Sequence, residues 1–347
     1  MIELIRDKEK WCEIVASTAQ SDFYHTYDYH HLSKNDDEDP VLIVYREGKE
    51  IIALPLLFRM IPGTEYKDAT SVYGYAGPLS ANLTSEFDNS RFRKEFIEFL
   101  QWNNVVTVFS RLNPFIPLQK HILQGIGITT SPGKIVNIDL TKGDVQLWSE
   151  YNRRLKSYIN KSKREYRVIE TQTDEVVRDF IDMYYGNMRR VNAQERYFFK
   201  EAYFFDLLKS RDFETKLLMA SNKSTGKSIG GAMFIKKGKI VQYHLSGARE
   251  SALDLNPIKL LIDEMRREAS CEGYTYFNLG GGVGNQEDSL FRFKAGFSKN
   301  FKDFMLWKFV VDEKAYIDLV HRFKSGVCER LSSKCSDFFP CYRCELV

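Results

Sequence analysis

The sequence predicts an α/β protein in which one structural plan is written twice. At 347 residues the chain exceeds what a single core usually serves, so two units are expected. Strand-type and helix-type runs follow one another in the same order in both halves. The spacing between the copies is nearly constant: Val41 and Thr215 open the two hairpins 174 residues apart, and Val105 and Tyr274 open the closing strands 169 apart. Two near-equal offsets point to duplication.

In the first copy Val41–Tyr45, the turn Glu47-Gly48-Lys49 and Ile51–Leu56 form a hairpin signal, and a third strand is expected around Val72–Tyr75. Phe92, Phe96, Phe99 and Leu100 then recur at helical spacing up to Trp102, and Val105–Phe109 returns as a strand. In the second copy Leu217–Ala220 and Ile229–Ile235 form the hairpin around Ser224–Lys227, which therefore reads as a turn and not a phosphate loop. Ile240–Leu245 is the next strand. A helix from Pro257 to Ser270 follows, with Asn256 as its cap and proline in its first turn, before the strand Tyr274–Leu279. The expected divisions are 1–147, 148–312 and a helical tail, 313–347.

Between the copies, Trp148 to Arg167 is expected to form one strongly amphipathic helix. Tyr151, Leu155, Tyr158, Ile159, Ser162 and Tyr166 gather on one side and Arg153, Arg154, Lys156, Lys161, Lys163, Arg164 and Arg167 on the other. Like charges at helical spacing repel, so such a face suits an acidic ligand such as phosphate, tRNA or an anionic lipid headgroup.

The overall net charge of +3 identifies no partner, and 43% hydrophobic with 28% charged residues is ordinary for a globular chain. The first residues lack the apolar core of a signal peptide and no segment has the length of a membrane span, which implies a cytoplasmic protein. Six cysteines match neither a disulfide scaffold nor a zinc module; Cys328, Cys335, Cys341 and Cys344 read as thiols, with no metal expected. No Gly-x-Ser-x-Gly elbow, Walker loop or His-Glu-x-x-His is present.

The most informative stretch is Gly280-Gly281-Gly282 with Asp288 to Phe297. A strand ends where three glycines remove every Cβ, leaving backbone amides for a ligand, and Lys294 follows on a short helix that Asp288 is placed to cap.

Order and residues together resemble the Fem-type aminoacyltransferases and their relatives in the GNAT acetyltransferase superfamily. The resemblance runs from about Phe23 to Phe309. It is carried by Tyr73-Gly74-Tyr75-Ala76-Gly77-Pro78-Leu79, the basic helix with Arg153-Arg154, Tyr185–Arg190, Gly230-Gly231-Ala232, Tyr243–Gly247, Asn278–Gly282 and Phe293–Phe297. It implies tandem acyl-CoA N-acyltransferase (GNAT-like) domains, each a mixed twisted sheet flanked by helices. It also implies acyl transfer to an amine, from aminoacyl-tRNA in peptidoglycan bridge formation or from acyl-CoA in related envelope and polysaccharide pathways. Either donor would be a co-substrate and not a tightly bound cofactor. The acceptor would be a small-molecule or nucleotide- or lipid-linked envelope precursor, with tRNA and the inner membrane surface as further partners. The second copy would hold the donor cleft, with the acceptor bound near the domain junction.

By the same resemblance Lys294 stabilises charge on the carbonyl oxygen, with Phe293 packed beside it. Gly280, Gly281, Gly282, Tyr243 and Asn278 are the donor-binding candidates. Arg153, Arg154, Lys161, Arg189, Tyr73 and Tyr75 are the acceptor- or phosphate-binding candidates. Aminolysis also requires removal of a proton from the attacking nitrogen; His244, Asp288, Tyr243 and the acceptor itself all remain open for that task. One departure stands out. Asp254-Leu255-Asn256-Pro257-Ile258-Lys259 occupies the place of the glycine-rich loop that binds the CoA pyrophosphate, and Pro257 has no amide to donate. A non-catalytic tRNA- or anion-binding protein and a degenerate scaffold of the same fold are the competing readings.

Overall fold

The computed structural model describes residues 1–324 and 338–344, so Cys328 and Cys335 lie outside the described residues. The chain divides into two compact units, Met1–Pro132 with Phe304–Val347, and Gly133–Asp303. The expected divisions at 147/148 and 312/313 fall inside these units, because residues 136–139 pair within the second and residues 305–310 within the first.

The first copy runs β1 (Ile2–Ile5), α1 (Lys8–Ser17), α2 (Tyr27–Ser33), β2 (Glu38–Glu47), β3 (Glu50–Met60), β4 (Lys67–Thr70), β5 (Leu79–Ala81), α3 (Ser90–Trp102), β6 (Val105–Leu112), α4 (Gln119–Ile122) and β7 (Ile128–Asp139). The linking helices α5 (Asp144–Glu150) and α6 (Arg153–Glu165) follow. The second copy runs β8 (Tyr166–Glu170), α7 (Asp174–Arg190), α8 (Glu201–Lys209), β9 (Glu214–Asn222), β10 (Ser228–Lys237), β11 (Ile240–Ala248), α9 (Pro257–Cys271), β12 (Tyr276–Gly280), α10 (Ser289–Lys294) and β13 (Asn300–Val310), and α11 (Glu313–Lys324) closes the described helices. Leaving out the short β5, both copies read strand, two helices, three strands, helix, strand, helix, strand. The duplication extends to the hydrogen bonding: within each unit one pair is parallel, β4 with β6 and β11 with β12, among antiparallel neighbours. The closing strands are exchanged. β7 is bonded to β12 in the second unit and β13 to β6 in the first.

Local chemistry explains the elements. In α3 Phe92, Phe96 and Leu100 recur every fourth residue and are buried against strand residues such as Ile43, Leu54 and Val108. In α9 Leu261, Met265 and Ala269 do the same against Phe234, Val241 and Phe277. Two expectations are corrected. The third strand of the first copy is Lys67–Thr70, and Val72–Tyr75 is irregular because Gly74 adopts φ +136 with the Tyr24 ring packed where a side chain would stand. The helix expected over Trp148–Arg167 breaks at Tyr151–Asn152, where the Asn152 side chain accepts the Leu155 amide at 2.8 Å and starts α6 afresh. Of the apolar side read for it, Tyr151, Leu155, Ile159, Ser162 and Tyr166 are buried and Tyr158 is half-buried, but the helix ends at Glu165, so Tyr166 and Arg167 belong to β8.

Three glycines let the second sheet be approached closely. Gly231 and Gly247 are cross-strand partners on β10 and β11, and a Cβ at Gly247 would lie 2.5 Å from the backbone of Met183 and Tyr184 in α7. Gly230 likewise admits Pro257, whose ring would be 2.7 Å from an added Cβ. Gly247→Ala is therefore expected to overpack this contact and lower stability by about 1–3 kcal/mol, read as a reduced midpoint in chemical denaturation.

Candidate active site

The site begins where β11 and β12 part. Their parallel pairing spans only Ile240–Gln242 against Tyr276–Asn278, although β11 continues to Ala248. Two local features separate them. Between Met233/Leu245 and Phe234/Tyr243 the ladder of β10 and β11 skips His244, a bulge that bends β11 away. Gly280, at φ +77, turns β12 in a conformation that favours glycine. At the last paired position the Asn278 side chain donates to Gln242 Oε1 at 2.8 Å and accepts the Gly280 amide at 2.8 Å. This corrects one expectation: the Gly280 amide is engaged internally and is not left for a ligand.

In the first unit the equivalent gap is sealed. The Ser71 amide bonds to Phe109 at 2.9 Å, Ala76 bridges Leu112, and the Ala76 carbonyl also accepts from Gln119 at 2.8 Å. Tyr73 and Tyr75 flank this seam. Tyr73 lies beneath Arg111, and Tyr75 packs edge-on to Tyr24 and Phe304.

Beyond the parting point the glycine loop and α10 form one unit. Asp288 caps α10, its Oδ1 accepting from Phe291 at 2.9 Å and its Oδ2 from Val283 at 3.2 Å. Burial raises this carboxyl, but the amides of Phe291, Val283 and Leu290 outweigh it and hold it below the usual range. Gly282 has no room for a Cβ, which would fall on the Gln286 carbonyl and the Asp288 carboxylate. Lys294 ends the helix with its side chain buried, donating from Nζ to the Gly281 carbonyl at 2.7 Å. Burial pushes its ammonium down to about 8, with Asp288 opposing part of the shift. An ammonium carries three donors, so two N–H groups remain beyond the Gly281 contact.

A cleft of about 190 Å³ opens beside the parted strand, lined by Tyr243, Ser246, Asn256, Pro257, Lys259 and Phe293 among others. Tyr243 hydrogen-bonds Ser246, and desolvation pushes its hydroxyl up to about 12. Asn256 stands before α9 as expected but does not cap it with its side chain: it sits at φ 50, and its Nδ2 donates to Asp254. His244 leaves the strand toward α8, where its Nε2 meets the Tyr203 hydroxyl at 2.8 Å, and desolvation lowers the imidazole to about 3.

The basic helix is divided in its engagements. Lys163 pairs with the buried Asp263 at 2.7 Å, and Tyr151 and Arg266 contact the same carboxylate. Arg153, Arg154 and Lys161 are exposed, and Arg154 donates to the Tyr158 hydroxyl. Arg189 lies exposed over Tyr185 at the end of α7. The structure thus brings together Asn278, Gly280–Gly282, Asp288, Phe293 and Lys294, and Tyr243 and Phe293 both line the cleft. Sequence reasoning assigned no site role to Gln242, Ser246, Tyr158 or Tyr203: Gln242 meets Asn278, Tyr203 meets His244 and Tyr158 meets Lys259, all remote in the chain, whereas Ser246 meets Tyr243 only three residues away. Gln242, a polar residue inside an apolar strand, carried a signal. Among the described residues no cluster of three or more His, Cys, Asp or Glu side chains is placed to hold a metal, and no helix is long and apolar enough to cross a membrane.

Residues 149–294 match the acetyltransferase (GNAT) domain family. No curated protein matches the chain. Among solved structures, FemX superposes with a TM-score of 0.70 at 13% identity, covering 91% of this chain and 99% of its own. A conserved protein of unknown function from Bacteroides thetaiotaomicron gives 0.57 at 13% identity, with 89% and 100% covered. The C-terminal domain of a provisionally assigned lysylphosphatidylglycerol synthetase from Agrobacterium fabrum gives 0.54 at 15% identity, with 90% and 95% covered. At these identities the likenesses establish the fold, which is of the GNAT type.

Asp288→Ala removes the cap of α10 and is expected to cost about 1 kcal/mol. Because the Asp288 carboxyl is held low in the folded protein, its contribution is present at neutral pH and is lost as pH falls through the folded value. Denaturation midpoints of wild type and variant should therefore converge in acid.

Proposed function

Given that the chain is an acyltransferase of the GNAT type with a Fem-like fold, we propose that its second unit transfers an acyl or aminoacyl group to an amine of a cell-envelope or polysaccharide precursor. The observation that carries the reading is the parting of β11 from β12 beside a cleft, with the buried Lys294 ammonium at the end of β12. The donor is an acyl-CoA thioester or an aminoacyl-tRNA ester. The envelope acceptor is supported by the Fem-type sequence resemblance and by FemX among the structural neighbours.

The chemistry is aminolysis. The acceptor nitrogen attacks the carbonyl carbon, a C–N bond forms, and the C–S or C–O bond to the leaving group breaks. The nitrogen loses a proton and the departing thiolate or alkoxide gains one. Negative charge develops on the carbonyl oxygen as the nitrogen adds, and a fixed cation in a water-poor site stabilises it strongly. Lys294 fits that task, since its Gly281 contact orients it and leaves two donors.

The three candidate bases are poorly suited to accept the proton near neutral pH. Desolvation holds His244 neutral and weakly basic, the Asp288 oxygens serve backbone amides, and the Tyr243 hydroxyl is pushed up to about 12. The acceptor amine therefore sheds its own proton to solvent, and catalysis rests on positioning and charge stabilisation.

Lys294→Met should leave the fold intact and lower kcat by about 10²–10³, with little change in donor KM. Unchanged turnover would exclude the role. In the wild type the ammonium is present below about pH 8 and lost above it, so kcat should fall on that alkaline side. A pH–rate profile that rises steadily through about pH 9.5 would contradict the assignment.

A further inference from the structure

Two cations beside the cleft stand where local electrostatics opposes them. Lys259 is the third residue of α9, whose first turn carries no acidic residue; Arg154 is the second residue of α6, whose first turn carries none either. Each therefore lies at the positive end of a helix dipole. They are also close to one another. Tyr158 joins them, its ring centroid 3.9 Å from Lys259 Nζ and its hydroxyl 3.2 Å from Arg154 Nη2. Among the described residues neither forms an ion pair with a carboxylate, whereas Lys163 of the same helix α6 is paired with Asp263. Burial, reinforced by Arg154, lowers the Lys259 ammonium from its ordinary value. Ser162 fixes the arrangement by donating to the Leu255 carbonyl at 3.1 Å, which ties α6 to the segment leading into α9.

The backbone at this point cannot supply what the cations can. Pro257 has no N–H, and the Lys259 amide is bonded to the Asn256 carbonyl. Lys259, by contrast, lines the cleft together with Asn256, Ser246 and Tyr243.

We propose that Lys259 and Arg154, joined through Tyr158, bind phosphate groups of the donor by side-chain charge, replacing the amide cradle that Pro257 forbids. This rests on the acyl-donor reading of the cleft. The shared ligand chemistry is a phosphate ester, supplied either by CoA or by the backbone of a charged tRNA. An anion seated here would cancel the repulsion between the two cations and satisfy both helix ends.

The test is equilibrium binding by the full chain to acetyl-CoA and, separately, to an aminoacyl-tRNA, at two salt concentrations, for wild type, Lys259→Met, Lys259→Arg and Arg154→Gln. Lys259→Met should weaken one of the two donors by roughly tenfold or more and flatten the salt dependence. Lys259→Arg should restore most of the affinity and Arg154→Gln should show a loss of the same kind. A loss confined to acetyl-CoA assigns the phosphates to CoA, and a loss confined to the tRNA assigns them to the nucleic acid. Affinity and salt slope unchanged in Lys259→Met would overturn the phosphate site while acyl transfer by the same variant left the enzyme reading standing. Failure of the wild type to bind or use either donor would overturn both.

Discussion

Everything in the candidate site depends on one interrupted ladder. Parallel strands normally extend their hydrogen bonding along their shared length, yet β11 and β12 stop after Gln242 and Asn278. The bulge at His244 turns β11, and the left-handed Gly280 turns β12. The Asn278 amide secures the fork by bonding Gln242 on one side and the Gly280 amide on the other. The cleft opens beyond this fork, and Lys294 is held at the end of β12 by the carbonyl that the turn presents.

The two copies show how little separates an open fork from a closed one. Both have the parallel pair and the helix that precedes its second strand. In the first copy irregular backbone after β4 continues to bond to β6, and Gln119 and His25 add side-chain bonds to the Ala76 carbonyl. Buried carbonyls and amides there find partners within the protein. In the second copy the cleft is lined by Tyr243, Ser246 and Lys259. Unequal use of one duplicated plan therefore follows from where a few backbone groups find their partners.

Charge is arranged with comparable economy. Asp263 is fully buried and receives Tyr151, Lys163 and Arg266, so it joins α6 to α9 through one carboxylate. Removing one partner from such a cluster leaves a buried charge undercompensated, which is far costlier than losing an exposed pair. The cluster uses a single lysine of the basic face, and Arg153, Arg154 and Lys161 remain in solvent. What reads along the sequence as one charged stripe is thus two populations, one structural and one directed outward.

Much of this is legible in the sequence alone. The repeated order of runs, the apolar side of α6, the buried spacing of Phe92, Phe96 and Leu100, and the glycines ahead of Asp288 and Lys294 all follow from periodicity and backbone freedom, which are properties of neighbouring residues. The break at Asn152 and the early β4 are less legible, because a cap competes with an unbroken helical period and a glycine with a strand period over only a few residues. Other features arise from the folded arrangement and nowhere else: β7 and β13 are exchanged between copies, the second fork is open and the first sealed, Lys163 is consumed by Asp263, and Lys259 meets Arg154 across Tyr158. Each of these is a pairing between residues far apart in the chain, and the sequence around either partner carries no trace of the other.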